Sequence, residues 1–292
     1  MTYSGKNINL CFSYFFTFLK ISIYYIFFLI LILVLKIDNI KAQSCESLPL
    51  FRFHFHNDYL RKKPLVEAIQ IEASSIEIDV YKIKNQLYIA HLPTGIRPWK
   101  TLEKLYIQPL LSLIKDSTII QKRKIKPLTI LIDCKTNVSK IIPTLLKQLT
   151  PLQPYLTITY KSQKAVQQSL LQVIICHADP HYISSDSSFW LIDKHHVFTP
   201  IEEQERWKYG LLSYNWKKFF KWKGKKGEMK ITEKQLLDKL LQNARLQKLP
   251  VRFYNAPDFP TFWKWCKDNN IDFIHTDKSL KKIKKHTIQN KL

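Results

Sequence analysis

Phe51-Arg-Phe-His-Phe-His-Asn-Asp-Tyr59 and, further on, Ser75-Ile-Glu-Ile-Asp-Val80 set the reading of the whole chain. Side chains alternate across a strand, so Phe51, Phe53 and Phe55 share one face while Arg52, His54 and His56 share the other. In the second run Ile76, Ile78 and Val80 oppose Glu77 and Asp79. Two short strands thus each bury an apolar face and aim ionisable groups the opposite way. Neighbouring carboxylates repel and are costly to desolvate unless a cation lies between them, so an inward Glu-x-Asp pair predicts a hard metal ion.

Working outward, Pro127-Leu-Thr-Ile-Leu-Ile-Asp-Cys-Lys-Thr136 is a third strand, on which Asp133 and Lys135 share a face. A short strand over 87–91 ends in His91. Further strands are predicted at 155–160, 172–177, 189–192, 210–214, 251–254 and 273–275, from β-branched and aromatic runs. Helices are predicted at 64–73, behind Pro64, at 101–114 with Thr101 as cap, and at 139–149, 165–171, 233–247 and 260–269. Alternating strands and helices imply one parallel α/β domain, and the strand number favours a closed TIM (β/α)8-type barrel over an open sheet. There is no Gly-x-Gly-x-x-Gly or Walker motif to favour a nucleotide fold.

Composition bounds the partners. The 292 residues are 46% hydrophobic, enough for one large core, and their 46 basic against 23 acidic side chains give a net charge of +23. Such a field attracts phospholipid surfaces and phosphorylated metabolites. Nucleic-acid binding would need basic and aromatic residues interleaved along a groove, and a secretory leader of the kind described next makes it unexpected. Ile21 to Leu35 is an uncharged apolar run flanked by Lys20 and Lys36. It is short for a membrane span and suits a secretory core, with Ala42 a small residue for cleavage. We read 1–42 as a signal peptide or membrane anchor, 47–286 as the barrel and 287–292 as a basic tail. The barrel is therefore expected outside the cytoplasm, secreted or periplasmic, still strongly basic with 42 Lys and Arg against 22 Asp and Glu. Cys45, Cys134, Cys176 and Cys266 lack zinc-type spacing, and no essential disulfide framework is expected.

The polar residues collect at strand C-termini: His56 and Asn57, Glu77 and Asp79, His91, Asp133 and Lys135. In a β/α barrel that end is where separate strands converge on one site. Two histidines flanking a metal-bound phosphodiester suit general base and general acid work.

Taken together, His56-Asn-Asp-Tyr59, Ser75-Ile-Glu-Ile-Asp-Val80, Ala90-His91, Thr101-Leu-Glu-Lys-Leu-Tyr106 with Pro109-Leu110, Asp133-Cys-Lys-Thr136, Val251-Arg-Phe-Tyr-Asn-Ala-Pro-Asp258 and Asp272-Phe-Ile-His-Thr-Asp-Lys278 carry a resemblance. The chain resembles the phosphatidylinositol-specific phospholipase C and glycerophosphodiester phosphodiesterase superfamily of TIM-barrel enzymes, which includes the spider-venom sphingomyelinase D group. The branch it looks most like contains altered inheritance of mitochondria protein 6. The resemblance implies Glu77, Asp79 and Asp133 as ligands of a Mg or Ca ion, with Asn57 a fourth. It implies His56 and His91 as the catalytic pair and Lys135 as the cation on phosphate oxygens. This chain departs from the glycerophosphodiesterases in having His56-Asn-Asp58 where they have His-Arg-Gly, Asp133 where they have Glu, and Leu92 where an acid follows the second histidine.

The implied activity is metal-dependent hydrolysis of a phosphodiester, a phospholipid head group or glycerophosphodiester. The competing reading is a barrel without catalysis that binds anionic lipid at an envelope surface. Arg252 and Asn255, on the predicted seventh strand and its loop, are candidates to contact phosphate or head group, or to serve barrel stability. Trp216, Phe219, Phe220 and Trp222, interleaved with Lys217, Lys218 and Lys221, suit either a lipid interface or packing beneath a loop.

Overall fold

The computed structural model describes residues 51–116, 123, 127–162, 166–195, 199–225 and 227–288. The leader at 1–42 lies outside the described residues. Eight parallel strands form one sheet: β1 (Phe53–Phe55), β2 (Ser75–Ile83), β3 (Leu128–Cys134), β4 (Leu171–Cys176), β5 (Trp190–Lys194), β6 (Tyr209–Asn215), β7 (Val251–Tyr254) and β8 (Ile274–Thr276). Their spatial order runs from β7 down to β1 and then β8. One parallel bridge, Arg252 to Phe273, links β7 back to β8 and nearly closes the barrel. The TIM-barrel expectation therefore holds.

The alternation read from the sequence builds two apolar layers. Phe53, Phe55, Ile76, Ile78 and Val80 point outward and are buried in the larger core against the helices, Phe53 edge-on to Trp263. Inside the barrel a second cluster, Leu131, Ile174, Cys176, Leu191, Leu211 and Phe273, fills the lumen. Gly210 belongs there for a steric reason: a Cβ on it would lie 2.8 Å from Leu191 Cδ1 and 2.9 Å from Ile174 Cδ1.

Around the sheet run α1 (Val66–Gln70), α2 (Gln108–Lys115, entered through a π turn at Glu103–Ile107), α3 (Val138–Leu149), α4 (Trp216–Phe219), α5 (Ile231–Leu246), α6 (Pro260–Asp268) and α7 (Leu280–Ile288). Asn137 caps α3 by accepting from the Ser139 N–H. The last helix runs into the segment read as a basic tail.

Three expected elements are corrected. Residues 155–160 give no barrel strand: Ile158–Tyr160 pairs antiparallel with Val166–Gln167 and Ser187–Ser188 in a separate small sheet. The helix expected at 165–171 is replaced by that pairing and by the start of β4, as an apolar run this short satisfies either period. The strand ending at His91 is Gln86–Ile89, which folds back antiparallel on the far end of β2 rather than joining the barrel order.

Candidate active site

Register assembles the site. Asp79 on β2 is paired across the ladder with Asp133 on β3, and one step lower Leu131 is paired with Ile174 of β4. The lumen therefore changes from hydrocarbon below to carboxylate above within one repeat of the pleat. Ligand oxygens of Glu77, Asp79 and Asp133 lie within 4.8 Å of one another.

Each carboxylate commits one oxygen to a fixed cation or donor. Glu77 Oε2 is held by the Arg252 guanidinium and lies 2.9 Å from His54 Nε2. Burial alone would raise the Glu77 pKa, but Arg252 and His54 hold it well below the usual carboxylate range. His54, itself buried, rests 2.7 Å from Ser75 Oγ, and burial drives its pKa down to about 3, so it stays neutral. Asp79 Oδ2 faces the Tyr59 hydroxyl at 2.8 Å, His91 Nδ1 at 2.9 Å and Lys135 Nζ at 3.1 Å. Asp133 Oδ2 takes the same ammonium at 2.6 Å. Burial works against the Lys135 charge, yet the two aspartates keep its pKa above the ordinary lysine value.

The other oxygens are free to serve a metal. Among the described residues Asp79 Oδ1 is buried without a hydrogen-bond partner, and burial raises the Asp79 pKa despite its three donors. Glu77 Oε1 lies 3.9 Å from His56 Nε2. An orphaned buried oxygen on an under-compensated carboxylate, beside two further carboxylates, is the donor set that a hard cation such as Mg or Ca takes. The residues present fit such an ion.

Two histidines are each aimed by an aspartate. His91 Nδ1 lies 2.9 Å from Asp79 Oδ2, and its side chain is 54% exposed. His56 Nδ1 lies 2.8 Å from Oδ1 of Asp277, just past β8. An ionised carboxylate only accepts, so Nδ1 carries the proton and Nε2 is the working atom in both rings. Burial lowers the His56 pKa, but Asp277 and Glu77 outweigh it and raise the value above that of an ordinary imidazole.

The sequence motifs meet in space. Asn57 adopts a left-handed backbone at φ 47°, and its side-chain oxygen lies 3.0 Å from the Tyr59 hydroxyl, beside the Asp79 cluster. Asp58 is fully buried and accepts from the Leu65 N–H at 2.7 Å and the Tyr106 hydroxyl at 2.8 Å, so the two motifs around positions 58 and 106 fasten the loop that carries His56. Arg252 is not at the mouth. Its guanidinium is enclosed in the lumen between Glu77, His54 and Ser213, where it balances charge instead of reaching a head group. Asn255, also left-handed, sits exposed on the loop after β7 with Nδ2 3.4 Å from Asn215 Oδ1. The aromatic cluster packs inward: Trp216 and Phe220 are buried, and Trp216 stands edge-on to Phe253, Phe262 and Trp265.

Tyr59, Asp277 and His275 had no role from sequence, although all three lie inside quoted motifs and two of them at a strand end. A further buried carboxylate was also missed: Asp193 of β5 accepts from the His177 N–H at 3.0 Å, with His195 Nε2 2.7 Å away.

Residues 44–188 match the family model of the AIM6-like phosphodiesterase domain. The fold is similar to the crystal structure of a glycerophosphodiester phosphodiesterase from Parabacteroides distasonis, with 13% identity, a TM-score of 0.51, and coverage of 82% of this chain and 98% of that one. A calcium-dependent phosphoinositol-specific phospholipase C from a Gram-negative Pseudomonas species is similar at 10% identity and a TM-score of 0.46, over 79% of this chain and 90% of that one. No curated protein matches the chain.

Proposed function

We propose that the chain, whose residues 44–188 match the AIM6-like phosphodiesterase domain, is an exported, metal-dependent phosphoric diester hydrolase of the superfamily of phosphatidylinositol-specific phospholipases C and glycerophosphodiester phosphodiesterases. Its substrate is a phospholipid head group or glycerophosphodiester. The observation that carries this is the carboxylate trio with its free oxygens, flanked by two aspartate-aimed imidazoles.

Charge supports the reading. Three carboxylates at the mouth face two fixed cations, Arg252 and Lys135, leaving one negative charge. With a divalent ion added the balance would be one positive charge, which a phosphodiester monoanion would cancel. Glu77, Asp79 and Asp133 would hold the ion, which would supply charge neutralisation at a phosphate oxygen. Lys135, with two N–H groups given to aspartates, turns its third toward another phosphate oxygen. His56 takes the proton of the attacking hydroxyl at Nε2, and Asp277 and Glu77 stabilise the imidazolium that forms. His91 Nε2 returns a proton to the leaving oxygen.

A lipid source for the substrate is supported by the surface beside His91. Leu92 is 59% and Trp99 62% exposed, on a loop that also presents Arg97 and Lys100. Lys82, Lys84 and Lys140 line a groove with Thr136, the residue after Lys135. Apolar and aromatic tips among basic residues suit an anionic membrane surface.

The test is product release from bis(p-nitrophenyl) phosphate, glycerophosphodiesters and phosphatidylinositol, with and without chelator, using His56→Ala and Glu77→Ala as controls. Chelator-sensitive turnover lost in both variants is expected. Turnover that survives chelator, or full activity in either variant, refutes the site. Vesicle binding with no turnover supports the lipid-binding alternative instead.

A further inference from the structure

Asp277 has two neighbours, and only one is used by the chemistry above. Its Oδ1 lies 2.8 Å from His56 Nδ1, while its Oδ2 lies 3.4 Å from Nε2 of His275 on β8. The two imidazole rings are 4.6 Å apart between centroids and tilted by 45°. Ligand atoms of His56, His275 and Asp277 all lie within 4.8 Å of one another.

This cluster differs in kind from the carboxylate trio. It offers two nitrogens and one oxygen, a set that suits ions such as Zn2+, Co2+ or Cu2+ over Mg2+ or Ca2+. Metal–ligand bonds of about 2.0–2.1 Å in a tetrahedron put neighbouring ligand atoms about 3.3 Å apart; here each imidazole faces its own oxygen of one carboxylate, at 2.8 Å and 3.4 Å, a spread that a small rotation of the carboxylate spans. His275 has no part in the chemistry above: its ring is buried, and among the described residues its Nδ1 has no hydrogen-bond partner. The backbone that carries the carboxylate is pinned, since Asp258 Oδ2 accepts the Asp277 backbone N–H at 2.8 Å and Asp258 Oδ1 accepts from Trp263 Nε1 at 2.9 Å. A pinned backbone fixes where the Asp277 side chain starts before an ion arrives.

We propose that His56, His275 and Asp277 form a second cation site, for a nitrogen-seeking divalent ion such as Zn2+, and that filling it takes His56 out of the reaction. Coordination through Nδ1 uses that nitrogen's lone pair and leaves the proton on Nε2, so the ring has no basic site for the nucleophile's proton. The site adjoins the carboxylate trio through His56 Nε2, 3.9 Å from Glu77 Oε1, yet shares no residue with it. The inhibitory half rests on the function proposed above; the binding half does not.

Co2+ titrated into the full chain in excess Mg2+ reads the site by its visible ligand-field bands. Bands are expected in the wild type and in Asp133→Asn. His275→Gln and Asp277→Asn should each weaken Co2+ binding by at least about tenfold, as loss of even an outer partner costs roughly 10- to 100-fold. Using both variants, each checked by thermal melting, keeps the test decisive if one fails to fold. Absent bands, or bands lost in Asp133→Asn but kept in His275→Gln, overturn the site. In a parallel assay, Zn2+ should inhibit bis(p-nitrophenyl) phosphate hydrolysis, with an inhibition constant at least about tenfold higher in His275→Gln. Turnover indifferent to Zn2+ overturns the inhibitory half. Co2+ binding as expected in a protein that cleaves no diester leaves the site standing and overturns the proposed function.

Discussion

The two histidine–aspartate pairs at the barrel mouth are made of the same parts in opposite arrangements. In His91–Asp79 the imidazole is exposed and the carboxylate is fully buried, shared with Lys135 and Tyr59. In His56–Asp277 the imidazole is the more enclosed partner, and the carboxylate is the exposed one, with a second imidazole behind it. The first pair is local, 12 residues apart, whereas the second is closed by the barrel across 221 residues. A buried, multiply shared carboxylate fixes a ring in place but is costly to disturb. An exposed one can tune a ring's protonation with less effect on the fold.

The strongest test of this contrast removes the rings. His56→Ala and His91→Ala should each reduce kcat by about 10²–10⁴-fold, and the double variant should fall little further, because acid and base act in one step. Steady-state kinetics on an activated diester measure both.

Next is the charge beneath the mouth. Arg252→Met strips Glu77 of its buried counter-ion and should cost about 3–5 kcal/mol of folding stability, read by thermal or urea unfolding. A loss below about 1 kcal/mol would mean that Glu77 is protonated or solvated, against the geometry.

Asp277→Asn separates the two pairs by pH. In the folded protein the His56 pKa is raised above 6.5 and the Asp277 pKa depressed below 3.8. The ion pair is thus complete between about pH 4 and 6.5. Its stability is lost as pH rises through the raised His56 value, and as pH falls through the depressed Asp277 value. The gap in melting temperature between wild type and Asp277→Asn should be widest inside that window and narrow above it. The NMR titration midpoint of His56 should move down in the variant. A midpoint that stays put removes Asp277 from the pair.

The smallest effect is expected at the rim. Trp99→Ala should weaken binding to anionic vesicles by roughly fivefold to tenfold, about 1 kcal/mol, while hydrolysis of a soluble diester is unchanged. Co-sedimentation measures it.

Both members of the first pair were named from the sequence, though not their contact; of the second pair only His56 was. Period-two alternation named the inward faces of β1, β2 and β3, and hence His56, Glu77, Asp79, Asp133 and Lys135. Asp277 lies just past β8, and the strand-end rule that selected His56, itself just past β1, applies to it equally. What alternation cannot supply is which strand lies beside which, and only the β8–β1 pairing brings Asp277 to His56. Arg252 shows the same gap: its inward face was readable, but not its depth, so its partner is Glu77 and not a ligand. Residues 155–160 have the composition of a barrel strand, yet their partners in the small sheet are antiparallel neighbours that no single run of sequence reveals. The Trp216 cluster was ambiguous between interface and packing until Phe253, Phe262 and Trp265 were seen to cover it.

Calorimetric titration of Mg2+ and Ca2+ into the full chain, wild type against Asp79→Asn and Asp133→Asn, tests most directly whether the carboxylates at the mouth hold a divalent ion. One site in the wild type, weakened at least tenfold in both variants, is the expected result. No binding in the wild type, or equal affinity in all three proteins, would contradict it.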